Sequence, residues 1–159
     1  MHDRVPVARA EMLIRRPASE VFEALVNPAI AVHYWLNRAS ARLDESPRVI
    51  WEWGAFGAPV EVTVLEIEKN RRVLFKWSAF GKPTIVEWTF TPLDGATYVT
   101  TMNHGFAGDL PQRTKAAVDS TESFSQVLAG MKAWLEHGIQ LKLIADRHPD
   151  PHAFAARRA

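Results

Sequence analysis

The stretch 119–146, DSTESFSQVLAGMKAWLEHGIQLKLIAD, is the longest run of this chain with helical periodicity. Asp119 or Ser120 is expected to cap its amino end, and Pro149 is expected to stop it, because the residue before a proline avoids α geometry. At about 1.5 Å per residue the helix spans roughly 40 Å, so its apolar stripe needs a large partner surface. The stripe consists of residues three or four positions apart: Phe124, Val127, Leu128, Met131, Trp134, Leu135, Ile139 and Leu141.

The partner surface comes from a long segment in which apolar and polar residues alternate, the period of a β-strand. The pattern predicts strands at 5–15, 39–43, 48–54, 59–68, 72–78, 83–91 and 96–104. Turn residues separate them, and Asp94-Gly95 is a strong hairpin pair. An antiparallel sheet with one solvated face follows, and its other face carries large side chains: Val49, Trp51, Trp53, Val73, Phe75, Trp77, Val86, Trp88 and Phe90.

Two strands are less regular. Strand 59–68 shifts its apolar phase between Val64 and Leu65, which predicts a bulge near Val64 that would also curl the sheet. The alternation of the last strand is ambiguous, although Tyr98 and Met102 favour the even positions as the inward ones.

Two short helices are predicted after the first strand, one from Pro17 through Val26 and one from Ala29 to about Leu36. The order is therefore strand, two helices, six strands and a long helix. The apolar face of the sheet and the apolar stripe of the helix are both buried in an α+β fold in which a curved antiparallel sheet of about seven strands wraps around the long C-terminal helix. We expect one domain over residues 1–148 and a flexible tail over 149–159.

Several sequence words accompany this order of elements: Pro17 to Leu25 (PASEVFEAL), Asn27-Pro28, Trp35, Val64 to Ile67 (VLEI), Arg72 to Trp77 (RVLFKW) and Asn103 to Phe106 (NHGF). With them, the chain resembles the START-like superfamily (SRPBCC, the birch-pollen-allergen-like helix-grip fold). Within it, the chain is similar to the group named after the activator of the heat-shock protein 90 ATPase. The resemblance covers about residues 8–146 and is specific for fold rather than activity. Phe124 departs from the group, whose members often carry Gly-Trp nearby.

Composition removes several classes of function. Lys plus Arg number 19 against 18 Asp plus Glu, and the arginine pairs are scattered, so we expect no nucleic-acid partner. No cysteine is present, no apolar run approaches about 18 residues, and the amino terminus lacks the apolar core of a signal peptide. The six histidines show no metal-ligand spacing. We therefore expect a cytoplasmic protein with no membrane span, no metal and no cofactor.

The inner surface of the predicted fold admits two interpretations. The side chains form a plain core, or they leave a cavity for a small hydrophobic molecule, a lipid or a flat aromatic compound. The resemblance to a superfamily of hydrophobic-ligand binders favours the cavity. The candidate ligand-binding residues are Trp51, Trp53, Phe75, Trp77, Trp88, Phe90, Met102, His104, Met131, Trp134 and His33.

An internal repeat suggests where such a cavity opens. Residues 53–59 and 77–83 both read W-x-A-F-G-x-P. Alternate turns of a meander lie at the same end of the sheet, together with the exit of the last strand at 105–108. Phe56, Phe80 and Phe106 are thus predicted to form an apolar lip at the cavity mouth. The alternative is that these phenylalanines simply cover hairpin ends.

Two other functions stay open. The superfamily resemblance implies a polyketide cyclase or aromatase as one alternative, which would need an inward acid or base, and His33 or His104 is the available candidate. No catalytic residue is assigned, and a binding protein is favoured over an enzyme. The group name implies an interaction with a chaperone ATPase, although we expect this chain to lack a second, chaperone-docking domain. A homodimer is possible.

Overall fold

The structure is a computed structural model that describes residues 5–54, 57–79 and 81–149. The predicted tail from residue 150 onward lies outside these residues. Within them, no helix combines the length and the hydropathy needed to cross a bilayer. The described elements are β1 (Ala8–Ile14), α1 (Ala18–Val26), α2 (Pro28–Ala31), β2 (Arg38–Ala39), β3 (Arg48–Glu52), β4 (Val60–Glu68), β5 (Arg72–Trp77), β6 (Thr84–Leu93), β7 (Ala96–His104), α3 (Leu110–His137) and α4 (Leu143–Arg147).

The strands form one antiparallel sheet in the order β1-β7-β6-β5-β4-β3-β2. Seven strands with a long C-terminal helix confirm the predicted helix-grip architecture. The β4–β5 register shifts between Val64 and Glu66, which confirms the bulge, and the bulged residue Leu65 is 48% exposed. The extra residue changes which positions face inward, so Ile67 returns to the core side.

The alternation of β3, β5 and β6 predicts the inner face correctly, but that of β7 does not. Tyr98 and Met102 lie on the outer face, because the odd positions of β7 are the buried ones. Met102 Sδ lies 3.8 Å from Arg9 Nη1, and the Tyr98 hydroxyl donates a hydrogen bond to Glu11. The inward prediction for Tyr98 and Met102 was therefore wrong.

The buried side of β7 is largely polar, and its hydrogen bonds explain why. Asn103 is fully buried, and its Nδ2 donates to Thr84 Oγ1 at 2.9 Å. The Ser120 hydroxyl on α3 donates to Asn103 Oδ1 at 2.8 Å. Thr97, also fully buried, donates to the Arg16 carbonyl at 2.8 Å. Paired in this way, polar groups tolerate burial, so hydrophobicity alone does not identify the inner face.

The bounds of α3 differ from the prediction at both ends. The helix begins at Leu110. The Asp109 carboxylate accepts a hydrogen bond from Gln112 N, and the Asp109 backbone N–H donates one to Gln112 Oε1, which together form a capping box. It ends at His137, because Gly138 adopts a left-handed conformation with φ of 65°. Ile139 and Leu141, expected on the helix stripe, are consequently exposed. A separate short helix, α4, follows Lys142.

The segment between α1 and β3 is also less regular than predicted. Pro17 opens α1 as expected, but α2 has only four residues, and the chain then turns irregularly through residue 37. The predicted strand 39–43 shortens to Arg38–Ala39 because Arg42 and Asp44 belong to a turn. Arg42 Nη1 and Nη2 lie 2.5 and 3.0 Å from the Glu23 carboxylate, which fixes this turn to α1.

The backbone of helix α3 lies closest to one side of the sheet. It packs mainly against β1 and β7. The tryptophan-bearing strands β3 and β5 are separated from β7 by β6 or by more strands. A space therefore has to be filled between α3 and β3–β5, and its contents decide what the protein can bind.

Candidate functional site

Trp35 fills the centre of that space. It comes from the irregular segment after α2 and is 7% exposed. Its ring centroid lies 4.8 Å from that of Trp51, 5.8 Å from Trp88, 6.0 Å from Trp77 and 6.0 Å from Phe124 on α3. These tilted and edge-on contacts are the favourable geometries for aromatic pairs, so the middle of the interior is closely packed.

Five of the predicted ligand-binding residues belong to this packed layer. Each is at most 2% exposed: Trp51, Phe75, Trp88, Phe90 and Met131. They contact one another or Trp35 as a core does, so a ligand could reach them only by displacing the side chains above them. Their part in ligand binding stays a prediction.

An open pocket of about 390 Å³ lies at one end of the same space, and we call it the tryptophan pocket. One side consists of indole rings and the turns after β3 and β5; the other consists of α3 and α4. It is lined by Trp35, Trp53, Trp77, residues 57–60 and 78–79, Ser123, Gln126, Val127, Ile144 and His148. Of the eleven predicted ligand-binding residues, Trp53 and Trp77 line it.

The three indole rings hold one another in place. Trp35 and Trp53 have centroids 6.4 Å apart at 58°, Trp53 and Trp77 are 6.3 Å apart at 62°, and Trp35 and Trp77 are 6.0 Å apart at 69°. Phe124 contacts Trp77 at 5.8 Å from the helix side. Rings fixed by several neighbours lose little further freedom when a ligand binds, which lowers the entropic cost of binding.

The α3 side of the pocket is polar. Ser123 and Gln126 stand three residues apart on one face of the helix, next to Val127. His148 closes the α4 side and is the one ionisable side chain among the described lining residues. The pocket thus combines a wide aromatic surface with a few hydrogen-bonding groups, as small-molecule sites commonly do.

Both copies of the W-x-A-F-G-x-P repeat contribute to the tryptophan pocket. Trp53 and residues 57–59 come from the first copy, and residues 77–79 from the second, so the two turns meet as predicted. Phe56 and Phe80 lie outside the described residues. Phe106 is 8% exposed and packs with Ala8 and Ala117 in a separate small cluster. The structure thus places Phe106 away from the described lining of the pocket.

The remaining predicted residues lie elsewhere. His33 stacks on Trp134, with ring centroids 3.9 Å apart at 12°, and its Nδ1 is 2.9 Å from Gln140 Nε2. Trp134 therefore packs beside the α2 segment. His104 is exposed at the end of β7 with its side chain on the same outer phase as Met102. The expectation that His104 could point inward was wrong, because β7 buries its odd positions.

Sequence reasoning missed most of the pocket's helical side. Ser123 and Gln126 border the predicted apolar stripe of α3, and that position was a usable signal. Trp35 was visible as a large aromatic residue just after a short helix. Ile144 and His148 were not recognisable, because the periodicity of α3 was extended through Gly138 into α4.

A second cavity, of about 510 Å³, lies at the opposite end of the sheet and is charged. Arg42 binds Glu23 there and also Asp44, with Nε–Oδ1 and Nη2–Oδ2 distances of 2.9 and 3.0 Å. The Arg42 guanidinium lowers the pKa of both carboxyl groups. With two carboxylates already bound, Arg42 acts as a structural clamp.

Across the described residues, no group of three or more acidic or histidine side chains is arranged to hold a metal ion.

Known structures share this fold. Protein SSP2350 from Staphylococcus saprophyticus is 24% identical, with a TM-score of 0.74 over 86% of this chain and 96% of that one. DynU16, a protein of the dynemicin biosynthetic locus, is 21% identical with a TM-score of 0.74; the alignment covers 85% of this chain but only 49% of DynU16. The Aha1 dimer from Colwellia psychrerythraea is 16% identical, with a TM-score of 0.68 over 83% and 97%.

At these identities the likeness is one of fold, and among curated proteins none matches the chain. The family described as "Activator of Hsp90 ATPase homolog 1-like protein" matches residues 15–136, from the end of β1 nearly to the end of α3. The chain therefore belongs to the Activator of Hsp90 ATPase homolog 1-like family, within the START-like helix-grip superfamily.

Proposed function

We propose that this protein binds a small, flat and mainly apolar molecule in the tryptophan pocket. The observation that carries the proposal is that three indole rings, each in contact with the other two, border an open cavity of about 390 Å³. This volume falls within the roughly 300–1,000 Å³ range of small-molecule sites. Membership of a family within the START-like superfamily supports a binding fold in general terms.

The energetics favour a ligand that matches the rings in shape. A molecule that buries about 300 Å² of apolar surface gains roughly 7 kcal/mol at ~25 cal/mol per Å². Association costs on the order of 4–15 kcal/mol. Because the gain is of the same order as the cost, affinity depends on pre-ordered walls and on the polar contacts that Ser123 and Gln126 offer. An aromatic compound with one hydrogen-bonding group fits this chemistry better than an extended lipid.

Binding is favoured over cyclase-type catalysis because of where the histidines lie. An acid–base reaction needs a titratable group within hydrogen-bonding reach of the ligand. His33 stacks on Trp134 and His104 is exposed at the end of β7, so neither borders the tryptophan pocket. His148 does border it, and a cyclase activity would depend on that residue.

Matched substitutions on α3 test the proposal. Ser123→Phe places a ring at the pocket wall, whereas Ser125→Phe places the same ring two residues further along, at another exposed position outside the described lining. We expect calorimetric titration with 2-naphthol or 4-hexylphenol to show binding that weakens at least tenfold in Ser123→Phe and is unchanged in Ser125→Phe. Equal affinities in the two variants would refute the site. Native mass spectrometry of freshly purified protein would identify any retained molecule.

Two further expectations remain proposals. The likeness to an Aha1 protein solved as a dimer supports a homodimer, which sedimentation velocity at several concentrations would detect. A cytoplasmic location rests on the sequence, and fluorescence microscopy of a tagged protein would test it.

A further inference from the structure

A smaller cavity lies directly beside the tryptophan pocket. Its volume is about 170 Å³, and it is lined by residues 32–37, Trp53, Gln140 and residues 142–145. Trp35, Trp53 and Ile144 line both cavities. Side chains that border two cavities at once form the partition between them. A molecule that fills the tryptophan pocket therefore lies against this partition.

The three residues of the partition are not held equally. Trp35 and Trp53 belong to the network of ring contacts. Ile144 is an aliphatic side chain on α4, half-buried against the core. Arg147 on α4 also forms an ion pair with Glu122 on α3, with Nε and Oε1 2.7 Å apart, and this contact does not involve Ile144. Ile144 can therefore be shortened without losing an aromatic contact or the ion pair between α4 and α3.

We propose that Ile144 sets the upper size limit of the ligand. The inference rests on the proposed function, and it adds the residue that determines specificity within that site. With Ile144 in place, a ligand is confined to the larger cavity. Shortening its side chain joins the two cavities, so that the apolar tail of a longer ligand passes between Trp35 and Trp53 into the smaller one.

A homologous series of ligands makes the limit measurable. Each buried methylene group strengthens binding by about 0.8 kcal/mol, which is about fourfold in affinity. In a series of 4-n-alkylphenols, affinity for the wild-type protein should rise at about this rate and then level off once the tail reaches Ile144. The chain length at which the rise stops is the break point.

Isothermal titration of the 4-ethyl to 4-octyl members with three variants tests the proposal. In Ile144→Ala the break point should move to longer tails by at least two methylene groups, with the longest ligand bound at least tenfold more tightly than by the wild type. In Ile144→Phe it should move to shorter tails. Leu143→Ala is the matched control, because Leu143 lies on the same short helix but borders the smaller cavity without bordering the tryptophan pocket.

The outcomes separate the two proposals. If the wild type shows a break point that neither Ile144 variant moves, the size limit lies elsewhere and this inference is overturned, while the pocket stands. A break point that Leu143→Ala moves as far as Ile144→Ala also overturns it. If the wild type binds no member of the series, both proposals fail. Cooperative thermal unfolding of each variant verifies that the titrations report on folded protein.

Discussion

Replacing Tyr34 by phenylalanine should remove a hydroxyl group that completes the end of α1. In a helix the Ala24 carbonyl would accept from the backbone N–H of residue 28, but Pro28 has no N–H. The Tyr34 hydroxyl supplies a donor instead, 2.7 Å from the Ala24 oxygen, and the side chain is only 7% exposed. Tyr34→Phe therefore leaves a buried acceptor without this hydrogen bond.

The expected loss of unfolding free energy is large for the removal of a single oxygen atom. An unsatisfied buried acceptor costs about 1–3 kcal/mol of unfolding free energy. For a domain of this size, each kcal/mol lowers the melting temperature by roughly 2–4 °C. Urea denaturation at pH 7 should thus show a lower midpoint with an unchanged slope, because the surface exposed on unfolding stays the same.

Alkaline pH provides a second test of the same contact. Burial raises the pKa of the Tyr34 hydroxyl well above its usual value. The folded protein therefore keeps the phenol neutral, whereas the unfolded chain ionises above its pKa of about 10. The wild type should lose up to about 1.4 kcal/mol of stability per pH unit above pH 10 from this group, and the variant, which lacks it, should not. The difference in unfolding free energy between the wild type and Tyr34→Phe should therefore be about 1.4 kcal/mol smaller at pH 11 than at pH 7.

The control is Tyr98→Phe, which removes the hydroxyl of a partly exposed tyrosine on the outer face of β7. It should change the urea midpoint less than Tyr34→Phe does. The reasoning is refuted if Tyr34→Phe lies within about 0.5 kcal/mol of the wild type at pH 7, the usual range for surface substitutions. If the difference in unfolding free energy between the wild type and Tyr34→Phe is the same at pH 11 as at pH 7, the argument on ionisation is refuted.

Three further substitutions test other contacts. Asp109→Ala removes the capping box of α3 and should cost about 0.5–2 kcal/mol in urea denaturation; no change would mean that the cap contributes little. Leu65→Lys changes the exposed bulge residue and should stay within about 0.5 kcal/mol of the wild type; a larger loss would contradict the bulge. Arg42→Ala removes the cation that lowers the pKa of Glu23 and Asp44. That stabilisation is present above the ordinary carboxyl pKa values and lost as pH falls, so stability should depend less steeply on pH between 5 and 3 in the variant. An equal slope in both proteins would contradict the clamp.

The architecture was predictable because most strands obey a simple alternation. Trp51, Phe75 and Trp88 were assigned inward from the period alone, and each is buried. The bulge was also visible, because one extra residue in a strand shifts the apolar phase of every position after it. The prediction for β7 failed because its buried positions are largely polar. Its inner positions include Thr97 and Asn103, whose burial depends on partners distant in sequence.

The ends of α3 were misplaced although the sequence carries signals for both. Asp109 and Gln112 have the spacing of a capping box, and Gly138 is a typical C-terminal residue. The apolar period continues through Ile139 and Leu141, and it was given more weight than the glycine. A left-handed glycine breaks the helix whatever the hydrophobicity beyond it, so the backbone signal should take precedence over the periodic one.

The repeat predicted that the turns after β3 and β5 lie together at a cavity mouth, but the extent of the tryptophan pocket could not be predicted, because it depends on where a distant side chain lies. Helix α3 packs mainly on β1 and β7. The aromatic rings of β3 and β5 therefore contact Trp35, and from α3 the ring of Trp77 contacts Phe124. Trp35 fills the middle of the space, and what it leaves unfilled at one end is the pocket. Its neighbour Tyr34 is fixed by a hydrogen bond that exists because Pro28 leaves the Ala24 carbonyl without a helical donor. Pro28, which follows the Asn27 cap of α1 and begins α2, thus helps to position two adjacent aromatic residues, and Trp35 marks where the packed core ends and the proposed binding site begins.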